Sequence, residues 1–328
     1  MPATSPPNVK VAVIINSFNR RNLLEKALGS LIPALRALPF GTTTIVFDAG
    51  STDGSREFLR RASAENPEAR IEILTPAAGD DTSFSAGVNA ACKQALDQFP
   101  DLRWLMLYET DNWIAGPEPL LRACALLSAE PQLAAAGFTV RLHDGKRCGF
   151  GVRFPTVTSF IAGQNLTARW KLDAARGTEC RHTGDIEWFT CDVVFTSPLL
   201  IRRDAWEASH GFDAGTFPFS DSDLDWAWRC ARMGWRMAVI ESDAVVHDNL
   251  AVASAWSANR VVDFHRSRLR LLKRHRGRWV TAIKPLLFLR HLIESALLKR
   301  AARGDLTAVP KLDKRREMMR TVWRNYEG

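Results

Sequence analysis

The sequence of 328 residues contains no CxxC pair, and its six cysteines (Cys92, Cys124, Cys148, Cys180, Cys191, Cys230) fall at no zinc-type spacing. Scattered thiols without a secretory leader fit a reducing compartment rather than a disulfide scaffold. The opening MPATSPPNVK is polar and proline-rich and lacks the apolar run of a signal peptide. The most apolar late segment, residues 283–298, is cut by Lys284, Arg290, His291 and Glu294, which leaves it too short and too charged to span a bilayer. Together these absences predict a cytoplasmic protein. The common nucleotide signatures are missing as well. No GxxxxGK(S/T) occurs, and GFGVRF at 149–154 lacks the last glycine of GxGxxG, so neither a P-loop nor a Rossmann dinucleotide site is supported. There is no internal repeat and no low-complexity tract.

What the chain does contain is an ordinary globular composition, 46% hydrophobic and 24% charged, with a net charge of +8. Such a balance points to anionic partners: nucleic acid, a lipid surface or phosphorylated substrates. Much of the positive charge follows Asn259, in RVVDFHRSRLRLLKRHRGRW and later KRAARG and KLDKRREMMR.

Residues 9–15 (VKVAVII) form a near-continuous β-branched run, as expected of a parallel strand buried on both faces. Leu23, Leu24, Ala27, Leu28, Leu31 and Ile32 then recur at helical spacing. The alternation continues with strands predicted at 43–47, 71–74, 104–108 and 133–140 and helices between them, which argues for an α/β layer with a mainly parallel sheet. After Arg141 the rhythm breaks, and the segment to Glu187 shows little periodicity. From Ala251 the chain reads as basic amphipathic helices, so residues 1–250 are expected to form the main domain, with an insert at 141–190, and 251–328 a basic helical extension.

In an open α/β sheet, ligands bind at the carboxyl ends of the strands. Three polar clusters fall there: NSFN after the first strand, DAGSTDGS after the second and ETDN after the fourth. A single polar turn would be unremarkable; three on one edge are harder to dismiss. In ETD, Glu109 and Asp111 can turn toward a common point and offer the oxygen ligands that Mg²⁺ or Mn²⁺ prefer, although a lone ExD is more often a solvated helix start. FPFSDSDLDWAWR at 217–229 sets Asp221, Asp223 and Asp225 at alternate positions. It resembles half of a calcium loop, but Trp226 and Arg232 stand where an EF-hand needs glycine and glutamate, and that reading fails. Three acids in five residues exceed what helix capping requires. Crowded carboxylates hold at least one pKa high, which suits a general base near neutral pH. His247 follows in AVVHD, at a strand end where a structural role is the commoner one.

Taken in order, SFN, IVFDAGSTDGS, SAGVN, ETD, SDLDWAWR and AVVHD resemble the inverting glycosyltransferases of family 2, with the GT-A fold, across roughly residues 9–250. The similarity extends to rhamnosyl- and galactofuranosyl-type transferases of bacterial cell-surface polysaccharides. It implies a nucleotide-sugar site at Asn16, Ser17, Asp48, Asn89 and Glu109, and a divalent metal (Mn²⁺ or Mg²⁺) held by Asp111, Glu109 and His247. It also places Asp223 as the base that activates an acceptor hydroxyl. Asp221, Asp225, Trp226, Trp228 and Arg229 then serve the acceptor or support the acidic box. The departures are Asn16 for proline, Phe18 for tyrosine, Glu109 for aspartate and Ser222 for the glutamate of the box, and Ser197 and Pro198 stand where a glycine is often seen.

The resemblance implies transfer of a sugar from a nucleoside diphosphate donor to a glycan or lipid-linked acceptor. The alternatives are a catalytically weak nucleotide- or carbohydrate-binding protein on the same fold, and a basic nucleic-acid-binding protein. The second is disfavoured because the tail carries no nucleic-acid motif and few interleaved aromatics. In the tail, Val261, Val262, Phe264, Leu269, Leu271 and Leu272 alternate with cations, and Leu286, Leu287, Leu289, Leu292 and Ile293 supply a second apolar face. Two readings stand side by side: a helical cap over the domain's own core, and peripheral docking on the anionic inner face of the plasma membrane.

Overall fold

The β-branched run at the start of the chain becomes β1 (Val9–Ser17), the strand around which both apolar layers are built. Val11, Val13 and Ile15 join one core and Ala12 and Ile14 the other, the period-two alternation of a strand covered on both faces. The computed structural model describes residues 8–142, 145–172, 180–195, 198–247, 258–304, 312–313 and 315–317, side chains 164–165 and 258–262 excepted. Ser197, Val261, Val262 and the boundary expected near residue 250 lie outside the described residues or side chains.

β1 pairs in parallel with β2 (Gly41–Asp48) and β4 (Trp104–Leu107), and β2 with β3 (Ile71–Leu74). Beyond β4 the sheet continues through β11 (Leu199–Arg202), β6 (Leu133–Phe138), β12 (Arg236–Ile240), β10 (Ile186–Cys191) and β9 (Cys180–Thr183). Of its nine strands only β11 and β10 run against the rest, so the sheet is mainly parallel in direction, as the alternation predicts. Helices α1 (Arg21–Arg36), α2 (Ser55–Glu65) and α4 (Glu118–Ala129) cover one face. The opposite face receives α3 (Phe84–Gln98), α6 (Arg203–Ala208) and α7 (Ser222–Arg232).

A second, four-stranded sheet has the order β5-β13-β7-β8, formed by β5 (Asn112–Ile114), β13 (Val245–His247), β7 (Val140–Leu142) and β8 (Arg147–Cys148). Its register sets His247 opposite Asn112, which carries a residue 135 positions away to the end of β4.

The region after Arg141 is more regular than its sequence suggests. It contains β8, β9 and α5 (Val157–Trp170), whose start is closed by a reciprocal capping box between Thr156 and Ser159. Gly163, at φ 80°, kinks α5, and this break removes the helical periodicity from the sequence. The tail forms α8 (Ala258–Arg276) and α9 (Lys284–Ala301). Leu271 enters the main core, and Leu269 and Leu272 form a third cluster with Phe160 of α5, Val280, Ile283 and Leu287. The first tail helix is therefore a cap.

α3 approaches the sheet through Gly87. A Cβ there would lie 2.5 Å from Phe47 Cδ1 and 2.6 Å from Asn16 Nδ2. Gly87→Ala is expected to lower stability by about 1–3 kcal/mol through overpacking. An unchanged urea midpoint would show that the helix can move away from β2 without penalty.

Candidate active site

The carboxyl ends of the strands open onto a cleft of about 1290 Å³. Asn16, Phe18 and Arg20 reach it from the end of β1, Ala49 from β2, Glu109 and Thr110 from β4, and His247 from the second sheet. The opposite side is the start of α7, with Ser222 and Asp223, and α8, with Asp263 and Arg266.

The loop into α7 is pinned before any charge is considered. Phe217 is fully buried and its carbonyl accepts from Ser85 Oγ at 2.6 Å, while the Pro218 carbonyl accepts from Ser85 N–H at 3.0 Å. Phe219, two residues on, is turned out into the cleft. Asp221 then takes the left-handed conformation, φ 62°, which aspartate tolerates better than most side chains. Its two carboxylate oxygens each accept from Arg268 of α8 at 2.9 Å, a bidentate pair. Asp225 is fully buried. It accepts from Arg229 Nε at 2.8 Å, Arg274 at 3.1 Å and His275 Nε2 at 2.9 Å. Burial raises its carboxyl, but the His275 and Arg229 hydrogen bonds and the Arg229 and Arg274 charges outweigh this and hold it below the usual range.

Asp223 has no such counter-ion. Its Oδ1 accepts the Leu224 N–H at 2.9 Å, and the side chain is half-buried at the cleft wall. Desolvation, reinforced by the negative charges of Asp221 and Glu109, pushes its pKa up to about 7. Two of the three acids are thus neutralised in place, and the one between them remains a titratable group at the cleft wall.

Behind His247 and Arg20, and not itself on the cleft lining, Asp111 is 4% exposed, with Oδ1 3.6 Å from His247 Nδ1 and Oδ2 4.0 Å from Arg20. Asp111 Oδ1 is buried without a hydrogen-bond partner, a costly arrangement that a cation would relieve. His247 Nδ1 also lies 3.2 Å from Asn112 Oδ1; a proton donated there leaves Nε2 as the lone-pair nitrogen. Carboxylate and imidazole donors suit Mn²⁺ or Mg²⁺ whose remaining positions are filled by phosphate and water. Among the described residues no three His, Cys, Asp or Glu side chains are gathered for one ion; of the expected trio, Asp111 lies beside His247, and Glu109 and His247 line the cleft.

The remaining expected residues divide between cleft and scaffold. Asn16 lines the cleft and donates to the Phe84 carbonyl at 3.0 Å. Ser17 and Asp48 are buried behind it; Asp48 pairs with Arg56 and accepts from Ser51 N–H at 3.1 Å, which shapes the DAGSTDGS turn. Asn89 bonds the Phe212 carbonyl at 2.7 Å and its N–H at 2.9 Å, a clamp on the loop before α7 rather than a cleft contact. Trp226 and Trp228 do not reach the cleft. Trp226 is buried and donates to Ser209 Oγ at 2.7 Å, and Trp228 is stacked between Phe154 and His275 at 4.3 and 4.5 Å. Two residues apart, they lie on different sides of α7, Trp226 against Trp206 and Trp228 against Phe154 and His275. Arg229 orients Asp225 and ties the Ser209 and Gly211 carbonyls.

The sequence reading missed Arg20 and Arg266, both on the cleft, and Arg268, Arg274 and His275, which hold the acidic box. The last three lie inside a stretch that reads only as basic and amphipathic. The signal available was the unpaired charge of the box itself, which required cations from somewhere. The Nε of Arg266 is buried and without a hydrogen-bond partner.

A family profile described as glycosyltransferase like family 2 matches residues 6–282. Comparison with the curated proteins finds no match. Among solved structures, S. aureus TarS 1–349 aligns at 12% identity and TM-score 0.51, over 97% of this chain and 92% of that one. GalNAc-T7 with UDP, GalNAc and Mn²⁺ aligns at 10% identity and TM-score 0.55, over 81% of this chain and 48% of that one, so the chain spans about half its length. TarS 1–349 with UDP gives 12% identity and TM-score 0.50, over 87% and 66% of the two chains. At these identities the likeness is one of fold.

Removing Asp225 would leave Arg229, Arg274 and His275 facing one another. Asp225→Ala is expected to destabilise the protein at pH 7 by on the order of 3 kcal/mol, the lower end for a broken buried pair because Arg274 is partly solvated. Because the folded carboxyl is held below its ordinary value, its contribution is present above about pH 4 and lost as pH falls through the folded pKa. The gap between variant and parent in urea unfolding should therefore narrow at pH 3. An equal gap at both pH values would place the stabilisation elsewhere.

Proposed function

The chain belongs to glycosyltransferase family 2, and on that footing we propose that it moves a sugar, with inversion, from a nucleoside diphosphate donor to an acceptor hydroxyl, with Asp223 as the base. The observation that carries this reading is the isolation of Asp223 as the titratable carboxylate at the cleft wall, between two carboxylates already neutralised by arginines. UDP complexes of TarS and GalNAc-T7 illustrate a nucleoside diphosphate on this fold.

In the proposed arrangement the donor lies along the polar strand ends. Asn16, Ala49 and Glu109 line its side of the cleft, while Asp48, Ser17 and Asn89 act from behind by fixing the turns. Arg20 and Arg266 supply positive charge for the diphosphate. A divalent ion held by Asp111 and His247 would neutralise negative charge on the leaving diphosphate. As the acceptor oxygen bonds to the anomeric carbon, its proton passes to the Asp223 carboxylate, the bond from that carbon to the phosphate oxygen breaks, and the nucleoside diphosphate departs with the electron pair. Asp221 and Asp225 share no proton with Asp223, because each is committed to arginine.

The tail gives the acceptor a setting. No described helix is long and apolar enough to cross a membrane. The helix α9 nevertheless leaves a run of apolar side chains in solvent. Leu287 and His291 face inward, whereas Leu286, Leu289, Leu292, Ile293 and Leu297 are each about half exposed, beside exposed Trp279, Lys299, Arg300 and Arg303. An apolar face rimmed by cations fits the surface of an anionic bilayer and so a lipid-linked acceptor.

Asp223→Asn should abolish transfer while nucleotide binding survives, and in the parent kcat/KM should rise with pH through about 7, because the base must be ionised. Parent-like turnover in the variant, or a profile flat from pH 5 to 9, would sink the assignment. For the tail, the double variant Leu289→Asp, Ile293→Asp should lose co-sedimentation with phosphatidylserine vesicles and keep its fold by circular dichroism. Undiminished sedimentation would leave α9 without a membrane role.

A further inference from the structure

GFGVRF at 149–154, which matches no nucleotide motif, finds a place in the cleft: Gly149, Phe150, Gly151 and Val152 all line it. The backbone here is packed too closely for side chains at the two glycines. A Cβ on Gly151 would lie 2.6 Å from Cys191 Sγ and one on Gly149 2.9 Å from the Phe138 carbonyl, and both residues have positive φ. The segment is thereby pressed flush against its neighbours and presents Phe150 and Val152 to the cleft as a fixed wall. Val140, Val194, Phe195 and Phe219 continue that wall toward the loop that carries Asp223.

The cleft is consequently divided by chemistry. Its charged lining residues, Arg20, Glu109, Asp223, His247, Asp263 and Arg266, come from the strand ends, the second sheet and the helices. The wall built from 149–152 and 194–195 offers aliphatic and aromatic carbon and no side-chain oxygen or nitrogen. Furthermore, the three phenylalanines that stand exposed among the described residues, Phe18, Phe195 and Phe219, all line this one cleft, the last at 62% exposure. Apolar surface concentrated in a concavity marks a ligand site. A saccharide needs hydrogen-bond partners for its hydroxyls, and this wall has none from side chains. The cleft volume of about 1290 Å³ also exceeds the roughly 300–1000 Å³ of a single-ligand pocket, leaving room for a second substrate beside the donor.

We propose that the acceptor carries an alkyl chain close to its reacting hydroxyl, and that Phe150, Val152, Val194, Phe195 and Phe219 bind that chain while the hydroxyl reaches Asp223. This rests on the transferase reading of the same cleft. The chain takes no part in bond making; burying it orients the acceptor and excludes water from the wall side, so that acceptors lacking the chain bind poorly rather than react poorly.

The test is binding of methyl, butyl and octyl β-glucoside to the full-length protein by calorimetry, below the micelle concentration, alongside UDP and GDP with Mn²⁺. Affinity should rise about threefold per methylene, slightly less than full burial of each would give. The double variant Phe195→Ser, Phe219→Ser, both positions being solvent-exposed and tolerant of the change, should flatten this series and leave nucleotide affinity within twofold. Equal affinity for methyl and octyl glucoside, or a chain-length slope unchanged in the double variant, would overturn the proposal even with nucleotide binding intact. A chain-length slope abolished by the variant in a protein that binds neither nucleotide would instead uphold the apolar site and remove the transferase reading.

Discussion

Three carboxylates within five residues can share one helix start only if something cancels most of their charge, and here the cancelling cations come from a distant helix. Arg268 takes both oxygens of Asp221, and Arg274 and His275 join Arg229 on Asp225. At close range and low dielectric such pairs are strong, and leaving one partner alone is costly. The consequence for chemistry is selective. With its neighbours committed, Asp223 keeps the one carboxyl of the group that burial can push toward neutrality. The tail helix α8 is thus part of the site's electrostatics, while its apolar side, through Leu269, Leu271 and Leu272, belongs to the packing.

The other side of the cleft depends on strand pairing. Asp111 follows β4 at the end of the main sheet, and His247 sits in a short strand far along the chain; the ladder between β13 and β5 places them 3.6 Å apart. Rigid elements hold both halves, the mainly parallel sheet under the polar strand ends and α7 with α8 under Asp223. Between them lies the apolar wall of 149–152 and 194–195, which gives the cleft a second chemical character. A polar edge and a carbon-lined edge in one concavity suit a reaction between a charged donor and an amphipathic acceptor.

Much of the architecture could be read in advance because it is encoded locally. The two-sided burial of β1, the helical spacing of Leu23 to Ile32 and the polar turns at strand ends follow from local residue pattern alone. α5 escaped because Gly163 breaks the period, and Thr156 and Ser159 mark its start too quietly to stand out. In the site, the order of motifs pointed to Asp223, Asp111 and His247, and the fold sets Asp223 on the cleft wall and Asp111 beside His247. The same motifs could not tell that Trp226 and Trp228 face inward or that Asn89 clamps the Phe212 loop, since a side chain's direction at a helix start depends on what packs against it.

The tail shows the same division. Its sequence established helices rich in arginine and leucine, because composition and charge are properties of the chain itself. Which leucines are buried was decided only by tertiary contact: Leu271 and Leu287 inward, Leu289 and Ile293 outward. The arginines divide likewise, Arg268 and Arg274 turning to buried aspartates and Lys299 and Arg300 to solvent. The sequence by itself determined that an acid-rich loop and a cation-rich tail are both present; only the folded chain decided which of their pairs close, because Arg268, Arg274 and His275 reach aspartates some fifty positions away.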